Sequence, residues 1–145
     1  MSQRVIIVGL GEVGKPLLEI ITKRHEVFGV DIDSAAPVDR CDVMHICFPF
    51  RGKEFTGQVS EYIRRYQPDL TIINSTVAPG TTRHIATGSG KPVVNSPVRG
   101  KHVRMQEEML HYTKFVGALD MESGVRAADH FQSVGMRTKL LGSPE

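Results

Sequence analysis

Apolar residues in this chain fall in short runs, and the runs alternate between two periods. Val5, Ile6, Ile7 and Val8 are continuously apolar, as a strand buried on both faces would be. Leu17, Leu18, Ile20 and Ile21 then recur at helical spacing. Pro16 falls in the first helical turn, where a missing N–H costs little, and Lys23, Arg24 and His25 close the helix at its negative end. The same alternation predicts strands over residues 27–31, 42–48, 70–74, 92–95, 114–118 and 138–141. It predicts helices over 53–66, with Phe55, Val59, Tyr62 and Ile63 on one face, over 81–87, and over 121–134, with Val125, Ala128, Phe131 and Val134 inward. Strand–helix alternation of this kind implies an α/β fold: a doubly wound, mostly parallel, Rossmann-like sheet in a single domain spanning 1–145. Residues 32–41 are too few for a full crossover helix. One helix–strand unit is therefore expected to be shortened or missing, with one edge of the sheet trimmed.

Between the first strand and the first helix stand Gly9, Leu10, Gly11, Glu12, Val13 and Gly14. Each glycine has a physical role in gripping a dinucleotide. Gly9 allows a tight turn, Gly11 lets backbone approach a pyrophosphate, and Gly14 lets the helix pack close to the sheet. Asp31 lies 22 residues past Gly9, at the end of the second predicted strand, where an acid accepts hydrogen bonds from the adenosine ribose. A carboxylate there repels a 2′-phosphate, and no base follows until Arg40, so NAD is the expected cofactor. Asp33 reads equally as a solvated turn former or as a ligand contact. The alternative for the whole loop is a glycine turn that binds nothing.

Composition narrows the remaining classes. The chain has 145 residues with a net charge of +2, no Trp and 6% aromatics, which argues against a nucleic-acid partner. The short basic run that includes Arg99, Lys101, His102 and Arg104 is either a solvated loop or an anion-binding one. Cys41 and Cys47 form no CxxC pair, and no signal peptide or membrane span is expected, so the chain reads as reduced and cytoplasmic. Cys47 sits in an apolar run and reads as a small buried hydrophobe. The six histidines lack ligand spacing, and no metal is expected. Gly88, Gly90 and Lys91 fail as a phosphate loop, because Ile85 stands where a glycine is needed and Pro92 where Ser or Thr is needed.

Ligands of such sheets bind beyond the strand C-termini, where residues 47–50, 75–82 and 96–100 form loops. Pro49, Pro79 and Pro97 can simply shape turns there, and Ser75 or Thr81 can simply cap helices. Taken together, the glycine loop with Asp31, the run Ser75-Thr-Val-Ala-Pro-Gly-Thr-Thr82, and Ser96-Pro-Val-Arg99 resemble the NAD-binding domain of the UDP-glucose/GDP-mannose dehydrogenase family. Residues 114–124 resemble that domain's closing strand and helix. The similarity runs over essentially the whole chain, and residues 75–82 are its most specific part.

That family oxidises a nucleotide-sugar alcohol to a carboxylate in two NAD-dependent steps. The resemblance implies that Thr76 positions substrate or a catalytic water, and that Ser75 and Thr76 border the nicotinamide. It places Phe48 and Pro49 on the nucleoside side of the cofactor. Two departures stand out. Val98 occupies a position where the family carries Glu, and the family's catalytic Cys and Lys lie on a long central helix and a second domain that are not expected within these 145 residues. Without that Cys, the route from aldehyde to acid has no nucleophile. Three functions stay open: an oxidoreductase domain completed by a partner subunit; a non-catalytic module that binds NAD(H) or a nucleotide sugar; and a small dehydrogenase using Thr76, Arg99, Lys101 or His102 on a simpler anionic substrate. A surface left uncovered by the absent domain would promote homo-oligomers.

Overall fold

In the computed structural model, which describes residues 2–98 and 105–144, the first apolar run forms β1 (Arg4–Val8) with Val5 to Val8 buried. There follow α1 (Gly14–Ile21), β2 (Glu26–Val30), β3 (Cys41–Ile46), α2 (Glu54–Tyr66), β4 (Pro68–Ile73) and α3 (Thr81–Ser89). The chain continues with β5 (Val93–Asn95), α4 (Met105–His111), β6 (Lys114–Ala118), α5 (Met121–Ser133) and β7 (Thr138–Leu141). The strands form one sheet in the order β2-β1-β3-β4-β5-β6-β7. β1 to β5 are parallel, β6 runs antiparallel to β5, and β7 is parallel to β6. This is the doubly wound, mostly parallel α/β architecture that the alternation implies. Residues 31–40 contain no helix and β2 is the sheet's edge, so the trimmed unit is where it was expected.

The period-2 geometry of a strand divides the core in two. Val5 and Ile7 of β1 face α1, α4 and α5, together with Leu17, Met105 and Phe131. Ile6 and Val8 face α2 and α3, together with Phe55, Val59, Ile63 and Ile85. Among the described residues no helix is long and apolar enough to cross a membrane.

Local differences from the sequence reading have simple causes. α1 stops at Ile21, so Lys23 and Arg24 lie in the turn beyond it rather than in its last turn, and His25 is buried. α4 escaped the pattern because its seven residues show too little periodicity to register, with Met105 and Met109 the buried pair. On α5 the buried strip is Gly124, Ala127, Ala128 and Phe131, while Val125 is exposed. Small residues let this helix lie close on the sheet: a Cβ at Gly124 would come within 3.2 Å of Ala118 Cβ. Asp120 caps α5, its Oδ1 accepting from the Ser123 N–H at 2.8 Å. Asp120→Ala is expected to cost about 1 kcal/mol, read as a lower urea midpoint at unchanged slope. An unmoved midpoint would show that the cap contributes nothing.

Candidate dinucleotide site

The three loop glycines answer to different constraints. Gly9 has φ 97°, and a Cβ there would lie 2.8 Å from Phe48 N, so the position needs both left-handed backbone and close approach. Its N–H donates to Val30 O at 2.8 Å, which ties the loop to β2 and to Asp31 just past it. At Gly14 a Cβ would fall 1.6 Å from Gly9 O and 3.4 Å from Cys47 Cβ. That glycine is imposed by the loop closing on itself. Gly11 is different, because an added Cβ would meet nothing within 4 Å. The fold makes no demand for glycine there, and the open space above it suits close approach by a phosphate. Val13, the N-cap of α1, makes no side-chain cap hydrogen bond to the helix's first N–H groups.

The strand C-termini gather the other rim residues. Ser75 Oγ donates to Phe48 O at 2.5 Å, and Asn95 Nδ2 donates to Ser75 O at 3.0 Å. Phe48 is half-buried against Phe55 and Tyr62, while Pro49 and Thr76 are exposed. Asp31 is exposed, its Oδ1 accepting from the Ile32 N–H at 3.0 Å. Gly9 through Gly14, including Leu10, Glu12 and Val13, thus share one edge of the sheet with Asp31, Phe48, Pro49, Ser75 and Thr76. That edge spans the point between β1 and β3 where the winding reverses. Val98 is half-buried and packs against the α4–α5 core. Arg99, Lys101 and His102 lie outside the described residues. An open hollow of about 530 Å³ at the opposite edge, near Arg4, Glu26, Asp42 and Asp69, lies at the strands' N-terminal ends, away from this rim.

Beneath the rim, on the α5 face, runs a buried polar layer that residue spacing did not reveal. The Gln3 N–H donates to His25 Nδ1 at 2.9 Å, so His25 carries its proton on Nε2 and donates to Ser133 Oγ at 2.8 Å. His130 Nδ1 donates to Gln3 Oε1 at 2.7 Å, leaving its Nε2 to accept from His45 Nε2 at 2.8 Å. His45 Nδ1 then accepts from Asn74 Nδ2 at 3.0 Å. All three rings are neutral in this pattern. Burial holds His45, His130 and His25 below the ordinary histidine pKa; the neighbouring His130 and then Lys114 add to the effect at His45. Asn74 Oδ1 is buried and accepts no hydrogen bond among the described residues.

Lys114 belongs to the same layer. Its Nζ donates to Ser96 O and lies 5.2 Å from the centre of the Phe131 ring. Burial lowers its pKa to about 7, and among the described residues Cys47 acts in the opposite sense. The Cys47 thiol is itself pushed up to about 12 by burial. A sequence signal for this layer did exist. His45 interrupts an otherwise apolar strand and Lys114 opens another, and a polar residue inside such a run has nowhere to go but inward.

A doubly wound sheet with a glycine loop at its reversal, and an acid at the end of the adjoining strand, defines the Rossmann class of dinucleotide-binding folds. Solved structures share this architecture. The UDP-N-acetyl-mannosamine dehydrogenase of Staphylococcus aureus superposes with a TM-score of 0.80 at 15% identity, over 97% of this chain and 47% of that one. The UDP-D-ManNAc dehydrogenase of Pyrococcus horikoshii gives 0.76 at 18% identity, over 97% and 47%. The 3-hydroxyisobutyrate dehydrogenase of Mycobacterium tuberculosis gives 0.73 at 21% identity, over 99% and 56%. The chain therefore spans about half the length of the structures it resembles, and at these identities the likeness establishes the fold. No protein-family model matches the sequence, and no curated protein matches it.

Proposed function

We propose that this chain is an NAD-binding domain related to nucleotide-sugar 6-dehydrogenases, which binds the dinucleotide without completing the family's oxidation by itself. The observation that carries this reading is the pairing of an unobstructed Gly11 with Asp31 across the reversal of the sheet. The residues present suit the cofactor: loop N–H groups for the pyrophosphate, and a carboxylate at the end of β2 for the ribose hydroxyls. Asp31 with no adjacent base favours NAD over NADP. Ser75 and Thr76 border the nicotinamide end, Phe48 and Pro49 the nucleoside side, and the Thr76 hydroxyl orients a substrate or water. Bound NAD would supply the hydride acceptor.

Two features argue against full turnover by this chain. Val98 offers no proton-transfer group and packs inward. Burial pushes the thiols of both Cys41 and Cys47 up to about 12, so neither is a thiolate nucleophile at neutral pH. These same features favour a second reading, a non-catalytic NAD(H) or nucleotide-sugar module acting through a partner or homo-oligomer. Exposed Met121 and Val125 of α5 and Leu140 and Leu141 of β7 provide apolar surface for such a contact.

Calorimetric titration tests both readings. Micromolar NAD binding, weaker NADP binding and a loss of roughly tenfold or more in Asp31→Ala are expected, since hydrogen bonds to a charged group carry about 1.5–3 kcal/mol. Equal NAD affinity in Asp31→Ala would remove the assignment of that acid. UDP- and GDP-sugars titrated next distinguish a nucleotide-sugar site from a site for the dinucleotide alone.

A further inference from the structure

Among the described residues Lys114 is the only buried Lys or Arg, and it takes part in neither ion pair seen there. Its place in the sheet makes it more than a packing oddity. Val94 pairs with Ala118 and Asn95 with Gly117 in the antiparallel β5–β6 ladder. Lys114, three residues before Gly117, therefore extends past the end of β5 to the rim that holds Ser75 and Ser96. Its Nζ is held there by the Ser96 carbonyl and the Phe131 ring.

The groups around it leave its charge uncompensated. From β3 comes His45, a neutral imidazole, and from just past its end Cys47, a neutral thiol at pH 7. From α5 comes the uncharged Phe131 ring. Glu108 of α4 lines with Lys114 a cavity of about 30 Å³. A protonated Lys114 is thus a positive charge in a low-dielectric layer under the nicotinamide end of the rim, in neither ion pair seen among the described residues.

We infer that Lys114 makes this rim selective for the redox state of the nicotinamide, holding the uncharged ring of NADH in preference to the cationic ring of oxidised NAD. The inference rests on the dinucleotide reading above and adds to it a preference set by charge. The oxidised ring carries a positive charge that the reduced ring lacks, and the rest of the molecule is the same. Two unit charges about 10 Å apart at an effective dielectric of about 20 repel by an energy worth roughly tenfold in affinity. The lysine titrates near neutrality, so the preference grows as pH falls through about 7.

The test is titration of the whole chain with oxidised NAD and with NADH at pH 8.5 and pH 6.0, repeated with Lys114→Met. The ratio of the two dissociation constants is expected to shift toward NADH by roughly tenfold on acidification in the wild type, and to stay constant in the variant. A constant ratio in the wild type, or the same shift persisting in a folded Lys114→Met, overturns the role of Lys114 and leaves the dinucleotide reading standing. A wild type that binds neither form overturns both. Should Lys114→Met not fold, Lys114→Leu and Lys114→Gln take its place, and a constant wild-type ratio overturns the role of Lys114 without any variant.

Discussion

Gly14→Ala is expected to leave the protein largely unfolded, while Gly11→Ala melts like the wild type and loses NAD affinity. The added methyl at position 14 would sit 1.6 Å from Gly9 O, a backbone atom that cannot rotate away as a side chain could. Relief would require the loop to leave β1, and Gly9 N–H would then lose Val30 O. Several kcal/mol is a large share of the ~5–15 kcal/mol that holds a domain together. At Gly11 the same methyl meets no protein atom, so a stability change within about 0.5 kcal/mol is expected. In the proposed site the phosphates would approach through the space it fills, and a loss of at least roughly tenfold in affinity should follow. Thermal melts and calorimetry on the two variants read both effects. A Gly14→Ala that melts normally would contradict the closed loop, and a Gly11→Ala with wild-type NAD affinity would mean that this loop does not hold the pyrophosphate.

Stability should pass through a maximum between about pH 8 and 9 and fall on both sides. The acid side comes from the histidines. His45 and His130 stay neutral in the fold because burial disfavours their charged forms, whereas in the unfolded chain they take protons near 6.5. Below that pH the unfolded state binds more protons, and each group removes up to about 1.4 kcal/mol per pH unit. Lys114 acts in the same direction higher up. Its amine titrates at about 7 in the fold against 10.5 when free, so stability rises with pH from 7 upward. Above about pH 9 the two cysteines reverse the trend, because unfolding releases thiols that burial keeps protonated up to about 12. Denaturant midpoints at pH 5.5, 7.0, 8.5 and 9.5 trace the curve. Lys114→Met should be more stable than the wild type at pH 7 and should lose the rise between 7 and 8.5, since it buries the same stem without a charge. A flat profile from 5.5 to 7.0 would show that the histidine layer is open to water. A Lys114→Met less stable than the wild type would show that the Ser96 carbonyl and Phe131 ring outweigh desolvation of the charge.

Much of the fold was legible in the sequence because its determinants are local. Buried parallel strands read as continuous apolar runs, helices as repeats of about four residues, and the short segment at 32–41 announced the missing crossover. The glycine loop and Asp31 were legible for the same reason: spacing along one strand–turn–helix unit determines where their atoms lie. By itself the sequence also placed Phe48, Ser75 and Thr76 at strand ends, and hence at the rim. Tertiary structure alone decided which glycines the fold requires and which it leaves open. At Gly9 that depends on Phe48 and Cys47 arriving beside the loop from the end of β3, and at Gly14 on the loop folding back onto Gly9 O. It likewise decided that Val98 packs inward, that Val125 faces out, and that His45 meets His130 across 85 residues of chain. The antiparallel turn of β6 brought Lys114 to the rim. No local pattern encodes these approaches, because they are set by which strand lies next to which and by the face that each helix covers.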